Sequence, residues 1–375
     1  MTQVNIWKNW RYHKLFKATA CSIIFTITLT VVFVFANIIF PYPNIPTYPN
    51  NVSLKLKHFA EHKDEYDAIF IGPSTTYRGI KPNLFDKLMA EKNVKIKSFN
   101  LGFDGAIVTE INFYLEKIIA LKPANLKWLF IEHNDLSIEK ISNADSFRSI
   151  YWHTPKQTII ALRLILESRK PLQLKFYSAY GNLKSLLNRI LWMGRLSNFW
   201  QEKILGFNLV ELIKKPQSRL LIKKLGYYST DWDKLFILGK QKFQNHLDVY
   251  YNKVDREIDK LKERNTASID FYKNHSLKVL KNMCDRIEEQ GIKPIIFISP
   301  IVGFDELTAI ELYKRRNTSI VFALNNPEAF PTLYQVDSRW DFGHLNDRGA
   351  REFTRSMAEQ FAKYLETQKS GIYPL

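Results

Sequence analysis

Ser74 closes an apolar run, "DAIFIG" (67–72), and opens a polar loop, "PSTTYRG" (73–79). A serine between a rigid proline and a polar loop is either a turn residue or a nucleophile presented at a sheet edge. Other polar residues recur at comparable places. "NLGFDG" (100–105) follows a second apolar run and carries Asn100, Gly102 and Gly105. "EHND" (132–135) ends a third and carries Asn134 and Asp135, and "DFGHLN" (341–346) brings Asp341 and His344 near the C-terminus. Together these are the parts of an acyl-transfer site. Ser74 attacks, His344 takes its proton, and Asp341 holds and polarises the imidazole. A tetrahedral intermediate needs donors aimed at its oxyanion. The backbone N–H groups of Ser74 and Gly105 and the Asn134 amide are the candidates; Gly105, without a Cβ, lets a substrate approach its backbone closely. Each residue alone has a plainer role. Ser74 and Asn134 are residue types that cap helices, Gly105 suits a turn, and Asp337 is a second acid that could replace Asp341 beside His344, at a less suitable spacing. The joint order of the four blocks favours the site.

The elements that must position these residues alternate between strand and helix. Strands are expected at 67–72, 94–102, 126–135 and 293–300, and helices at 106–121, 268–291 and 349–368. Such alternation predicts an α/β fold with a parallel sheet, whose ligand sites lie at the carboxyl ends of the strands. Every candidate residue above follows a strand or precedes the last helix.

On these motifs the chain resembles the SGNH (GDSL-type) hydrolase superfamily, whose members carry a serine, a glycine, an asparagine and a late DxxH in this order. The matching positions are Ser74, Gly105, Asn134, Asp341 and His344, and the resemblance covers 67–135 and 293–365. It implies a three-layer parallel-sheet fold and a serine acyl-enzyme that needs no metal or cofactor. It is similar to membrane-anchored cell-envelope members, which include proteins of alginate acetylation and of D-alanyl transfer to teichoic acid and work beside a membrane-bound O-acyltransferase. Two departures stand out. The GDS block reads GPS, with Pro73 for the aspartate, and the glycine of the GxND block is Glu132. The carboxylate that supports the serine loop in the family is therefore expected to be missing.

The rest of the chain is read for location and partners. Residues 1–17 are a basic tail with Lys8, Arg11, Lys14 and Lys17 and no acid. Residues 18–40 are 23 uncharged residues, about 34 Å as a helix, enough to span a bilayer core. The basic residues on the N-terminal side place that side in the cytoplasm and the rest outside. The alternative is a cleaved signal peptide; the run continuing through Ile38, Ile39 and Phe40 favours an uncleaved anchor. Residues 41–60, with four prolines, read as an extended linker, and 61–368 as the SGNH-like domain.

An insert at about 145–265 separates the third and fourth strands, far longer than a crossover helix needs. Within it, 154–170 and 181–200 look amphipathic. Residues 151–225 hold fourteen Lys/Arg against three Glu, a net charge of +11 out of +17. The insert is either a solvated cap over the site or a surface for anionic lipid or an anionic glycan. An extracytoplasmic location and the lack of any nucleic-acid motif argue against nucleic acid. Cys21 and Cys284 are the only cysteines, and no disulfide or zinc site is expected from them.

The sequence thus leads to a single-pass protein of a bacterial cytoplasmic membrane, with its catalytic domain outside. It would transfer or hydrolyse an acyl ester, foremost acetyl, on an envelope polysaccharide. The rival expectation is a non-catalytic adaptor that binds glycan and a membrane-bound acyltransferase. The topology is directly testable. A reporter active only in the cytoplasm, fused after residue 368, should stay silent, and a signal from it would reverse the orientation.

Overall fold

The computed structural model describes residues 3–39, 41–46, 50–133, 144–168, 170–191, 215–233, 237–264, 274–302 and 320–370. Its first element is a long helix, α1 (Gln3–Ile39). Within the stretch His13–Ile39, 18 consecutive residues have mean hydropathy 2.4 and none of them is buried in the protein; the stretch is long and apolar enough to cross a membrane. The proline-rich segment after it is pinned rather than free. Tyr151 donates its hydroxyl to the carbonyls of Pro43 and Asn44.

The expected linker is also shorter than 41–60. Residues 51–61 form α2 (Asn51–Glu61), started by Asn50, whose side chain accepts the Ser53 N–H at 2.9 Å. Val52, Leu54, Leu56 and Phe59 of this helix are buried. The prolines that suggested an extended chain all lie before it, and its apolar residues recur at helical spacing instead.

Five strands follow: β1 (Ala68–Ile71), β2 (Ser98–Asn100), β3 (Trp128–Glu132), β4 (Lys293–Ile298) and β5 (Val321–Ala323). They form one all-parallel sheet in the order β2-β1-β3-β4-β5. Four are the expected strands, trimmed at their ends. β5 is an addition; three residues are too short for a periodicity signal. β1, β3 and β4 are apolar on both faces, as in a sheet covered on both sides.

The helices between the first three strands are α3 (Ser74–Gly79), α4 (Pro82–Glu91) and α5 (Val108–Ala120). The insert contributes α6 (Phe147–Trp152), α7 (Pro155–Glu167), α8 (Leu172–Ile190), α9 (Pro216–Lys223), α10 (Ile237–Gln244) and α11 (Leu247–Arg264). α12 (Asn274–Glu288) precedes β4, and α13 (Asp347–Ser370) closes the chain.

One face of the sheet presents Ile69, Ile71, Leu129, Ile131, Ile296 and Ile298 to α2, α5, α7 and α12. The other presents Phe70, Phe130, Ile295 and Phe297 to α4, α11 and α13. On that side Phe361 of α13 meets Phe130 and Trp128 edge-on, with ring centroids 5.2 and 5.3 Å apart. The insert is not an appendage: Leu225 accepts the Asn100 N–H at 2.9 Å, covering the edge strand β2.

α4 is tied to β2 by Asp86, which accepts the Ser98 hydroxyl and, at 3.1 Å, the Ser98 backbone N–H. Burial lifts the Asp86 carboxyl to about 7, although these hydrogen bonds favour its ionised form. A carboxyl that holds its proton more tightly folded than unfolded costs stability as pH rises from about 4 towards 7. Thermal unfolding over that range should show the loss. In Asp86→Asn, which keeps an acceptor for Ser98, the slope should be shallower; an unchanged slope would clear Asp86 of the effect.

Candidate active site

The order of the sheet reverses between β1 and β3, and in open parallel sheets ligands bind beside the carboxyl ends of the strands at such a reversal. The chain leaves β1 through Gly72. A Cβ on Gly72 would lie 2.1 Å from Thr76 Oγ1 and 2.6 Å from Glu132 Cβ, so the loop packs against β3 more closely than another residue would allow. Pro73 then caps α3 with extended backbone, φ −74° and ψ −161°. Ser74 becomes the first residue of α3, at its N-terminus.

His344 reaches it from the other end of the chain. Its Nε2 lies 2.8 Å from Ser74 Oγ. Its Nδ1 lies 2.9 and 3.0 Å from the two carboxylate oxygens of Asp341. Asp341 Oδ1 also accepts the backbone N–H groups of Gly343 and His344, both at 2.8 Å. Burial alone would raise the Asp341 carboxyl. The His344 hydrogen bond and charge, with the two amides, outweigh it and hold the carboxyl below its ordinary value. Asp341 therefore stays ionised beside the ring. With Nδ1–H donated to Asp341, Nε2 is left as the acceptor for the serine proton. Asp337, the other acid considered, pairs with Arg348 instead.

The carboxylate expected to be missing from the serine loop is supplied from β3. Glu132 is buried and accepts the hydroxyls of Thr75, Thr76 and Ser299. Glu132, which read in the sequence as a departure from a GxND pattern, thus brings a carboxylate to the loop that holds Pro73. Burial raises its carboxyl, against the pull of those hydroxyls. Sequence reasoning counted Glu132 only as a departure, because nothing local shows that β3 ends beneath the loop of β1.

A second charged group was also missed. Arg78 of α3 is buried; it donates Nε and Nη2 to the Asp104 carboxylate at 3.0 and 3.1 Å, and Nη2 to Asp233 at 2.9 Å. This clamp joins the serine helix to the loop after β2 and to the insert. Lys55, buried in α2, donates to the Gly102 carbonyl of the same loop and lies 3.8 Å from the centre of the Tyr77 ring. Burial pulls its ammonium pKa well below the ordinary value, partly offset by Asp104. Asn100 completes the bracing: it donates to the carbonyls of Thr76 and Ile80 at 2.7 and 2.8 Å and accepts the Gly102 N–H at 2.9 Å.

The loop so held carries Gly105 at φ +60°, in the left-handed region, and the space a Cβ would occupy is open among the described residues. Asn134 and Asp135 lie outside the described residues. Ser74, His344 and Asp341 are therefore brought together in one hydrogen-bonded chain. Among the described residues no cluster of three or more His, Cys, Asp or Glu side chains is placed to hold a metal ion.

No protein-family model matches this chain, and no curated protein matches it.

Glu132→Ala should lower the melting temperature far more than Glu132→Gln. The first leaves the hydroxyls of buried Thr76 and Ser299 and of half-buried Thr75 without their acceptor, at ~1–3 kcal/mol for each buried one that finds no other. The second keeps a carbonyl oxygen in place. Equal shifts for the two variants would mean that only the volume of Glu132 matters.

Proposed function

We propose that this protein is a membrane-anchored serine acyl-transfer enzyme of the SGNH type, acting outside the cytoplasm on acyl esters of an envelope polysaccharide. The observation that carries the reading is the hydrogen-bonded chain Ser74–His344–Asp341, assembled from positions 270 residues apart. The location is supported by α1 and by the Lys/Arg residues before its apolar stretch.

In this mechanism Ser74 Oγ attacks the carbonyl carbon of the ester while its proton passes to His344 Nε2. Asp341 steadies the imidazolium so formed. The negative charge on the carbonyl oxygen is met by the N–H groups of Ser74 and Gly105 and by the Asn134 amide. The proline before Ser74 leaves the Ser74 N–H intact, since a proline lacks only its own. Collapse of the intermediate breaks the ester C–O bond, and the leaving alkoxide takes the proton from His344. A sugar hydroxyl or water then gives its proton to His344 and attacks the acyl-serine. Ser74 leaves as the alcohol, with that proton returned to it.

Incubating the protein with an activated acetyl ester should place one acetyl group on Ser74, detectable by mass spectrometry of the peptide that contains it. Ser74→Ala should show no adduct there. Ser74→Ala and His344→Ala should each lower turnover roughly 10⁶-fold with folding intact. The double variant should be hardly worse than either single one, because the residues act as a unit. No acyl transfer or hydrolysis by the wild type, with the biological function unchanged in Ser74→Ala, would remove the proposal and leave the adaptor reading in its place.

A further inference from the structure

α8 exposes a stripe that the site does not use. Leu172, Phe176, Tyr180, Leu183 and Leu187 are each 49–69% exposed. At ~100° per residue they fall within about 80° of arc, on one side of the helix. The opposite side, with Ser178, Gly181, Asn182 and Ser185, is buried in the insert. Apolar residues at this spacing ordinarily face a core; here they face outwards. The helix carries Lys175, Lys184 and Arg189 and no acidic residue.

What α8 is bonded to gives the stripe its occupant. Its C-terminal end meets the outer end of α1: Asn37 Nδ2 donates to the Ile190 carbonyl at 3.0 Å. Just beyond α1, Tyr42 donates its hydroxyl to the Arg189 carbonyl at 3.3 Å, and the Arg189 guanidinium lies 3.9 Å from the centre of the Tyr42 ring. Asn37 is two residues before the end of α1, about 3 Å along its axis. The end of α8 therefore sits at the depth where α1 leaves the apolar layer.

We propose that α8 is an interfacial helix, laid on the outer leaflet of the bilayer that α1 crosses, with its apolar stripe in the headgroup–acyl boundary. The inference rests on α1 spanning that bilayer. The chemistry suits such a surface. The stripe supplies apolar area, Tyr177 and Tyr180 are amphipathic rings favoured at the interface, and Lys175 brings positive charge towards anionic headgroups, Lys184 being paired with Asp145 and Arg189 held by the carbonyls of Ile150 and Tyr151. Such docking fixes the domain at a second point, so that it cannot swing freely about the segment after α1.

The test uses the full chain in nanodiscs of phosphatidylethanolamine and phosphatidylglycerol, with an environment-sensitive fluorophore on single cysteines. Native Cys21, exposed on α1, reports the anchor, and buried Cys284 is shielded from labelling. Phe176→Cys and Tyr180→Cys, each with Cys21→Ser, report α8. Glu359→Cys on α13, across the sheet, is the control. The α8 labels should be blue-shifted and lose emission to a quencher at headgroup level, while the Glu359 label remains water-like. Adding Leu183→Glu and Leu187→Glu should reverse the shift at position 176. If Cys21 reports the apolar layer while the α8 labels match the control, the proposal falls and the anchor stands. If Cys21 itself reports water, the anchor falls and takes this inference with it. Energy transfer between α8 labels on two copies would show that a second copy, not lipid, covers the stripe, and would also overturn it.

Discussion

Glu132 carries a carboxylate to the carboxyl end of the sheet, where burial disfavours its charge, and it is held there by the hydroxyls that meet it and by a backbone hydrogen bond from Thr76. Those hydroxyls come from Thr75 and Thr76 of the loop after β1 and from Ser299 after β4. The carboxylate therefore fastens the ends of three neighbouring strands to one another. Gly72 makes this possible, since a side chain there would keep the loop off β3. The orientation of α3, and with it the direction of the Ser74 hydroxyl, follows from this closure. A buried acid so placed is costly unless fully satisfied, which makes the arrangement intolerant of partial change.

The remaining braces act on the same loops from outside the sheet. Arg78, Asp104 and Asp233 join α3, the β2–α5 loop and the insert, while Lys55 and Asn100 hold Gly102. His344 depends on a separate device, a tight turn in which Asp341 accepts two backbone amides as well as the ring nitrogen. The imidazole is thereby oriented by its own turn, and the serine by the sheet. Their meeting depends on α13 and the segment before it packing on the face that carries Phe70, Phe130 and Phe297. Core packing and site geometry are coupled at this point.

The charge of the chain is distributed unevenly for reasons the fold makes visible. Some of the basic residues that stood out in the insert are used internally. Lys156 pairs with Glu116, Lys184 pairs with Asp145, and Arg189 is engaged with the carbonyls of Ile150 and Tyr151. A count of lysines and arginines overstates the free charge of the insert, because it cannot tell a cation that braces a loop from one that meets solvent.

Much of the site was legible in the sequence. Strands ending in Ser74 and in the Asn100–Gly105 segment, and a late Asp341–His344 pair, are local patterns, and local patterns report themselves through period and turn chemistry. The α/β class and the apolar span of α1 were legible for the same reason. Other features required tertiary structure. Glu132 read as a defect, since its partners are 56, 57 and 167 residues away in the chain. α2 was hidden by the prolines before it, and β5 by its length. The choice of Asp341 over Asp337 rested on spacing alone until the turn of His344 was seen. Sequence determined which residues had chemistry to offer and where each strand would release them. Strand order, register and the packing of α13 decided which of them meet, because contacts across a parallel sheet join segments that share no local signal.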